Sequence, residues 1–104
     1  MFDIIKELFN KEKTDYAKLV NEGAVIVDVR SKNEYSAGHI KGSVNIPVET
    51  LRDNLSRLKD KNKTVITCCA SGMRSASAKS ILRSNGYSSV HNGGGWHSLN
   101  SKLK

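Results

Sequence analysis

The stretch Thr64-Val65-Ile66-Thr67-Cys68-Cys69-Ala70-Ser71-Gly72-Met73-Arg74-Ser75 decides how this chain reads. Residues 64–69 form a short apolar, β-branched run of strand length, and a glycine-containing loop follows it. Residues 75–85 then carry Ala78, Ile81 and Leu82 on one helical stripe, with Gly86 placed as a left-handed stop. A thiol at a strand end just before a helix N-terminus lies where backbone N–H groups converge on an anion. That position suits Cys69 as a nucleophile, with Ala70, Ser71, Gly72, Met73, Arg74 and Ser75 as its cradle.

Outward from this stretch the elements alternate. Tyr16, Leu19 and Val20 share helical spacing ahead of Gly23, and residues 24–29 form a nearly continuous apolar run, the pattern of a strand buried on both faces. Residues 43–46 are a short second strand, ended by Pro47. Thr50 caps a predicted helix with Leu51, Leu55 and Leu58 on one face and Asp53 supporting its first turn. Residues 89–91 are a last short strand, followed by a glycine turn and a final helix around residues 96–99. Strands separated by helices need crossovers, so the expected fold is α/β, a single domain with a central, mostly parallel sheet flanked by helices on both faces. Ligands of such sheets gather beyond the carboxyl ends of the strands, where Cys69 falls.

Composition fits this reading. A chain of 104 residues holds one core, and 38% apolar residues argue against disorder. No apolar run approaches the length that spans a bilayer. Residues 1–14 read as an N-terminal helical extension with Phe2, Ile5 and Phe9 on one stripe docking on a core of residues 15–100; they lack a secretory pattern, so the cytoplasm is expected. The two cysteines are adjacent, which excludes an ordinary disulfide framework. The formal charge of +7 attracts small anions, but its lysines are dispersed without interleaved aromatics, so no specific nucleic-acid or membrane partner is expected. His91 and His97 match no metal spacing with the cysteines, and Gly93-Gly94-Gly95 lacks the lysine and hydroxyl residue of a phosphate loop, so neither metal nor cofactor is expected.

The chemistry requires a thiolate, because an unperturbed cysteine is mostly protonated at neutral pH. The loop amides, the following helix N-terminus and Arg74 all favour a negative sulfur, and Gly72 lets the loop curl. The same amides suit the oxygens of an anionic substrate.

Taken in order, Asp28-Val29-Arg30, Glu34-Tyr35, Gly38-His39-Ile40, Gly42-Ser43-Val44-Asn45-Ile46-Pro47, Cys69 to Ser75, Gly86-Tyr87 and Gly93-Gly94-Gly95-Trp96 resemble the single-domain rhodanese family, over about residues 16–99. The resemblance implies an enzyme, a thiosulfate sulfurtransferase that forms a persulfide on Cys69. Its partners would be a small anionic sulfur donor and a cyanide or thiol acceptor, a protein thiol included. The resemblance also implies that Asp28 and Arg30 brace the loop through hydrogen bonds or a pair with Glu34, and that Arg74 braces the loop or attracts the donor.

Rhodanese loops place four residues between cysteine and arginine, whereas phosphatase and arsenate-reductase relatives place five. The gap here is four from Cys69 and five from Cys68. The family's glycine, three positions after the nucleophile, selects Cys69 and leaves Cys68 as a small core residue or a resolving thiol. His39 is expected to satisfy backbone groups at a turn. An arsenate reductase or small phosphatase, and a non-catalytic sulfur-carrier or interaction module, are the alternatives.

Overall fold

A computed structural model describes residues 14–104, so the helix expected over 1–14 lies, apart from Thr14, outside the described residues. The order of elements is α1 (Tyr16–Asn21), β1 (Val25–Asp28), α2 (Lys32–Ala37), β2 (Val44–Asn45), a 3-10 helix (Val48–Arg57), β3 (Val65–Cys69), α3 (Met73–Ser84), β4 (Val90–Gly95) and α4 (Trp96–Lys102). The strands form one parallel sheet in the order β2-β1-β3-β4, which puts β1 and β3 at its centre.

Central position explains the burial. All of β3 is buried, as are Ile26, Val27 and Asp28 of β1, and their side chains alternate between two cores. Val27, Val65 and Cys69 pack with Leu51, Ala78, Leu82 and Tyr87 on the side of the 3-10 helix and α3. Ile26, Ile66 and Cys68 pack with Ile40 and Leu99, and with Tyr16, Leu19 and Trp96, on the side of α1 and α4. The period-two alternation of a strand thus sends the two adjacent thiols to opposite faces.

Four expectations need correction. The segment after Pro47 is a 3-10 helix over Val48–Arg57, not an α-helix capped by Thr50; Asn54 at φ −123°, ψ 21° breaks it into two pieces, and Thr50 Oγ1 donates back to Pro47 O. Leu51 and Leu58 are nevertheless buried, so the apolar spacing found the right face. Helix α3 starts at Met73, two residues before the apolar pattern suggested, because Gly72 at φ 104° turns the chain directly into it. Strand β4 continues through the three glycines instead of turning at them. Helix α2 was not anticipated, although Ser31 and Glu34 close a capping box at its start, the Ser31 hydroxyl accepting from Glu34 N and the Glu34 carboxylate accepting from Ser31 N.

The glycine run has a packing reason. A side chain at Gly93 would meet Ile66, Leu99 and Thr67 O within 2.9 Å, and one at Gly95 would meet Ala70 O at 2.9 Å. Strand β4 therefore approaches β3 and the cysteine loop more closely than any residue with a Cβ allows.

Candidate active site

Cys69 is the last residue of β3 and is fully buried, while Ala70, Ser71 and Met73 above it are exposed. The backbone N–H groups of Gly72 and Ser75 point at its sulfur from 3.0 and 3.4 Å. Ser75 Oγ lies 3.4 Å from the sulfur and accepts from the neutral thiol. Burial alone would push this thiol up. The Ser75 hydroxyl and the amides of Ser75, Gly72 and Ser71 outweigh burial and hold the thiol below its ordinary value. Low local dielectric strengthens each of these donors, and the N-terminus of α3 adds its dipole from the same side.

Cys68 stands in contrast. It has no accessible surface, packs among Ile26, Ile40, Ile66 and Leu99, and its thiol is pushed up to about 12 by burial and then by the charge of Asp28. A thiol so placed is protonated at any physiological pH, and no donor among the described residues is aimed at it. The spacing of five residues counted from Cys68 therefore has no geometric counterpart.

The residues expected to support the loop divide into two groups. Glu34 and Arg74 form a two-point ion pair, Arg74 Nη1 to Glu34 Oε1 at 2.7 Å and Nη2 to Oε2 at 3.0 Å, which ties the start of α3 to α2 across 40 positions of sequence. Arg74 first, and then the Ser31 amide, hold the Glu34 carboxyl down to about 2. Asp28 and Arg30 form a separate pair at 2.7 Å, with Arg30 nearly buried and Asp28 fully so.

The expected Arg30–Glu34 side-chain pair is thus corrected. Residues 28 and 30 share a face, so Asp28 takes the guanidinium, and Arg30 reaches Glu34 only through its backbone oxygen. Arg30 also donates to Gly38 O at 2.7 Å and lies 4.6 Å above the Trp96 ring. It braces the segment after α2 and the start of α4, not the cysteine loop. His39 Nδ1 lies 2.7 Å from Tyr35 O and its ring stacks on Tyr35, as a backbone-satisfying residue would.

Asn92 is the residue that sequence reasoning missed. Its Oδ1 accepts from Ser75 Oγ at 2.6 Å and from Gly94 N at 2.9 Å, and its Nδ2 donates to Gly72 O at 3.2 Å. It joins β4 to both loop residues whose amides touch the sulfur. No local pattern marks an asparagine before three glycines as part of a thiol site. Among the described residues no group of three or more His, Cys, Asp or Glu side chains converges as a metal site would, and no helix is long and apolar enough to cross a membrane.

A parallel α/β domain with one thiol in an amide cradle at a strand's carboxyl end defines the class. The rhodanese-like domain model matches residues 12–102, and the chain belongs to that family. It is 39% identical over 70 residues to thiosulfate sulfurtransferase PspE of Escherichia coli K12, covering 66% of this chain and 67% of that protein. It is 35% identical over 78 residues to a tRNA uridine(34) hydroxylase of Buchnera aphidicola, covering 70% of this chain but only 25% of that longer protein. A solved rhodanese from E. coli superposes with a TM-score of 0.69 at 35% identity, over 73% of this chain and 91% of that one.

Proposed function

We propose that the protein is a thiosulfate-type sulfurtransferase that carries sulfur as a persulfide on Cys69. The observation that carries this reading is the convergence of three groups on one sulfur at the strand end: the Gly72 and Ser75 amides, which donate to it, and the Ser75 hydroxyl, which accepts from the neutral thiol. Support also comes from the 39% identity to a thiosulfate sulfurtransferase over two thirds of each chain.

In the first half-reaction the Cys69 thiolate attacks the outer sulfur of thiosulfate. The S–S bond of the donor breaks, sulfite leaves with the bonding electron pair, and Cys69 keeps the transferred sulfur as a persulfide anion. The loop amides that favour the thiolate then face the negative terminal sulfur. In the second half-reaction an acceptor attacks that terminal sulfur; cyanide leaves as thiocyanate, a thiol leaves as its own persulfide, and the Cys69 thiolate returns. The acceptor class includes a protein thiol.

The charge of +7 draws the anionic donor towards the protein, and Arg74, held by Glu34, acts as a brace for the loop. The reaction needs Cys69 reduced, which fits the cytoplasm. Thiocyanate released from thiosulfate and cyanide tests the reading. Turnover in the wild type is expected, and its absence with both substrates in excess would reject it.

A further inference from the structure

The Ser75 hydroxyl has one hydrogen and two acceptors within reach of it. Asn92 Oδ1 lies at 2.6 Å and Gly72 O at 3.0 Å, both as acceptors, while the Cys69 sulfur at 3.4 Å donates its own hydrogen to Ser75 Oγ. This arrangement is right for a neutral thiol. A sulfur anion has no hydrogen to give and needs one, so the hydroxyl must turn. Asn92 can release it without leaving a buried acceptor bare, because Oδ1 keeps the Gly94 amide at 2.9 Å. A hydrogen bond to an anion is about twice as strong as one to a neutral amide, so charge on the sulfur wins the hydroxyl.

We propose that Asn92 is a positioning residue for Cys69: its amide oxygen holds the Ser75 hydroxyl hydrogen while the sulfur is neutral and yields it when the sulfur becomes an anion. No proton passes along this chain. The thiol proton leaves to solvent, and the Ser75 hydrogen stays on its own oxygen while the C–O bond rotates. For the persulfide anion the inference rests on the sulfurtransferase reading; for the thiolate it does not.

An amide is the group this switch requires. A carboxylate at position 92 would hold the hydroxyl by a charge-assisted bond, set a negative charge near the sulfur and lose the donor to Gly72 O. The other ionisable groups around the cluster are Arg74 with its partner Glu34 and the nearby Glu49, Lys79 and Arg83 on α3, Cys68 on β3, His91 on β4, and Tyr16, whose hydroxyl donates to Asn92 O. Burial keeps Cys68 protonated, and burial with the charge of Lys79 pushes His91 below its ordinary value. Neither adds a charge above neutral pH.

The test is the rate of Cys69 alkylation by iodoacetamide as a function of pH, in the wild type and in Asn92→Asp and Asn92→Ala. Asn92→Asp is expected to raise the midpoint by about one unit, a tenfold slower reaction at neutral pH. Asn92→Ala, which removes the acceptor without adding charge, is expected to move it less. In a Ser75→Ala background the effect of Asn92→Asp should fall by half or more, since only the through-space charge remains.

A residue that merely clamps the loop would give the opposite order, because Ala removes all three bonds and Asp only one. A midpoint raised as far by Ala as by Asp, or unmoved by Asp, would overturn the proposal. If Asn92→Asp does not fold, the Ala variant decides alone: an upward shift of a full unit overturns, a smaller one supports. Alkylation needs no sulfur donor, so a wild type that takes no sulfur from thiosulfate would reject the proposed function and leave this result standing.

Discussion

Cys68 and Cys69 share a peptide bond and the end of one strand, yet they meet opposite physical worlds. Cys69 points towards α3, where two amides and a hydroxyl surround its sulfur. Cys68 points towards α1 and α4, into a core of isoleucine and leucine side chains, and no hydrogen-bond donor among the described residues is aimed at it. Both are without accessible surface, so exposure does not separate them. What separates them is the count of donors, which lowers one thiol and leaves the other to be raised to about 12 by burial. Reactivity of a buried thiol is set by the dipoles aimed at it, and a strand's alternation decides which thiol receives them.

The difference can be broken most completely at Cys69. Its replacement by Ala should lower thiocyanate formation by at least about a thousandfold, since no group remains to accept the sulfur. A variant that keeps a tenth of wild-type turnover would mean that Cys68 substitutes for it. Next in size is Ser75→Ala, which deletes a donor to the sulfur anion. Such bonds contribute about 1.5–3 kcal/mol, so the alkylation midpoint should rise by about one unit or more. An unchanged midpoint would assign the whole effect to the amides.

How much of this was legible in the sequence depends on the range of each interaction. The apolar runs at 24–29 and 64–69 announced two central strands, and the glycine three positions after Cys69 pointed to the thiol of the pair on which the loop amides converge. Helix α2 was readable in principle from Ser31 and Glu34, but without an apolar stripe it leaves no periodic trace. The end of β4 was hidden because three glycines carry no side chains to alternate. The Glu34–Arg74 pair and the Asn92 bridge join residues 40 and 17 positions apart, and no local spacing encodes them.

A smaller effect separates the charged brace from the thiol itself. The Glu34 carboxyl is held down to about 2, so its contribution to stability is complete above the ordinary carboxylate range near 4 and is lost as pH falls towards 2. The melting temperature of the wild type should decline across that window, and Glu34→Gln should remove part of the decline while changing little at pH 7. Identical slopes for the two proteins would show that the pair adds no stability. Smallest of all should be Cys68→Ala, with turnover unchanged and a stability loss of about 1 kcal/mol in chemical denaturation. A large fall in turnover in a folded Cys68→Ala protein would give Cys68 a part in the chemistry.

The central claim is that sulfur resides on Cys69 between the two half-reactions. Intact-protein and peptide mass spectrometry after incubation with thiosulfate and removal of excess donor tests it most directly. The wild type should gain a single sulfur atom on the peptide containing residues 68 and 69, Cys68→Ala should gain the same atom, and Cys69→Ala should gain none. A wild type without added sulfur, or a gain that survives in Cys69→Ala, would contradict the account.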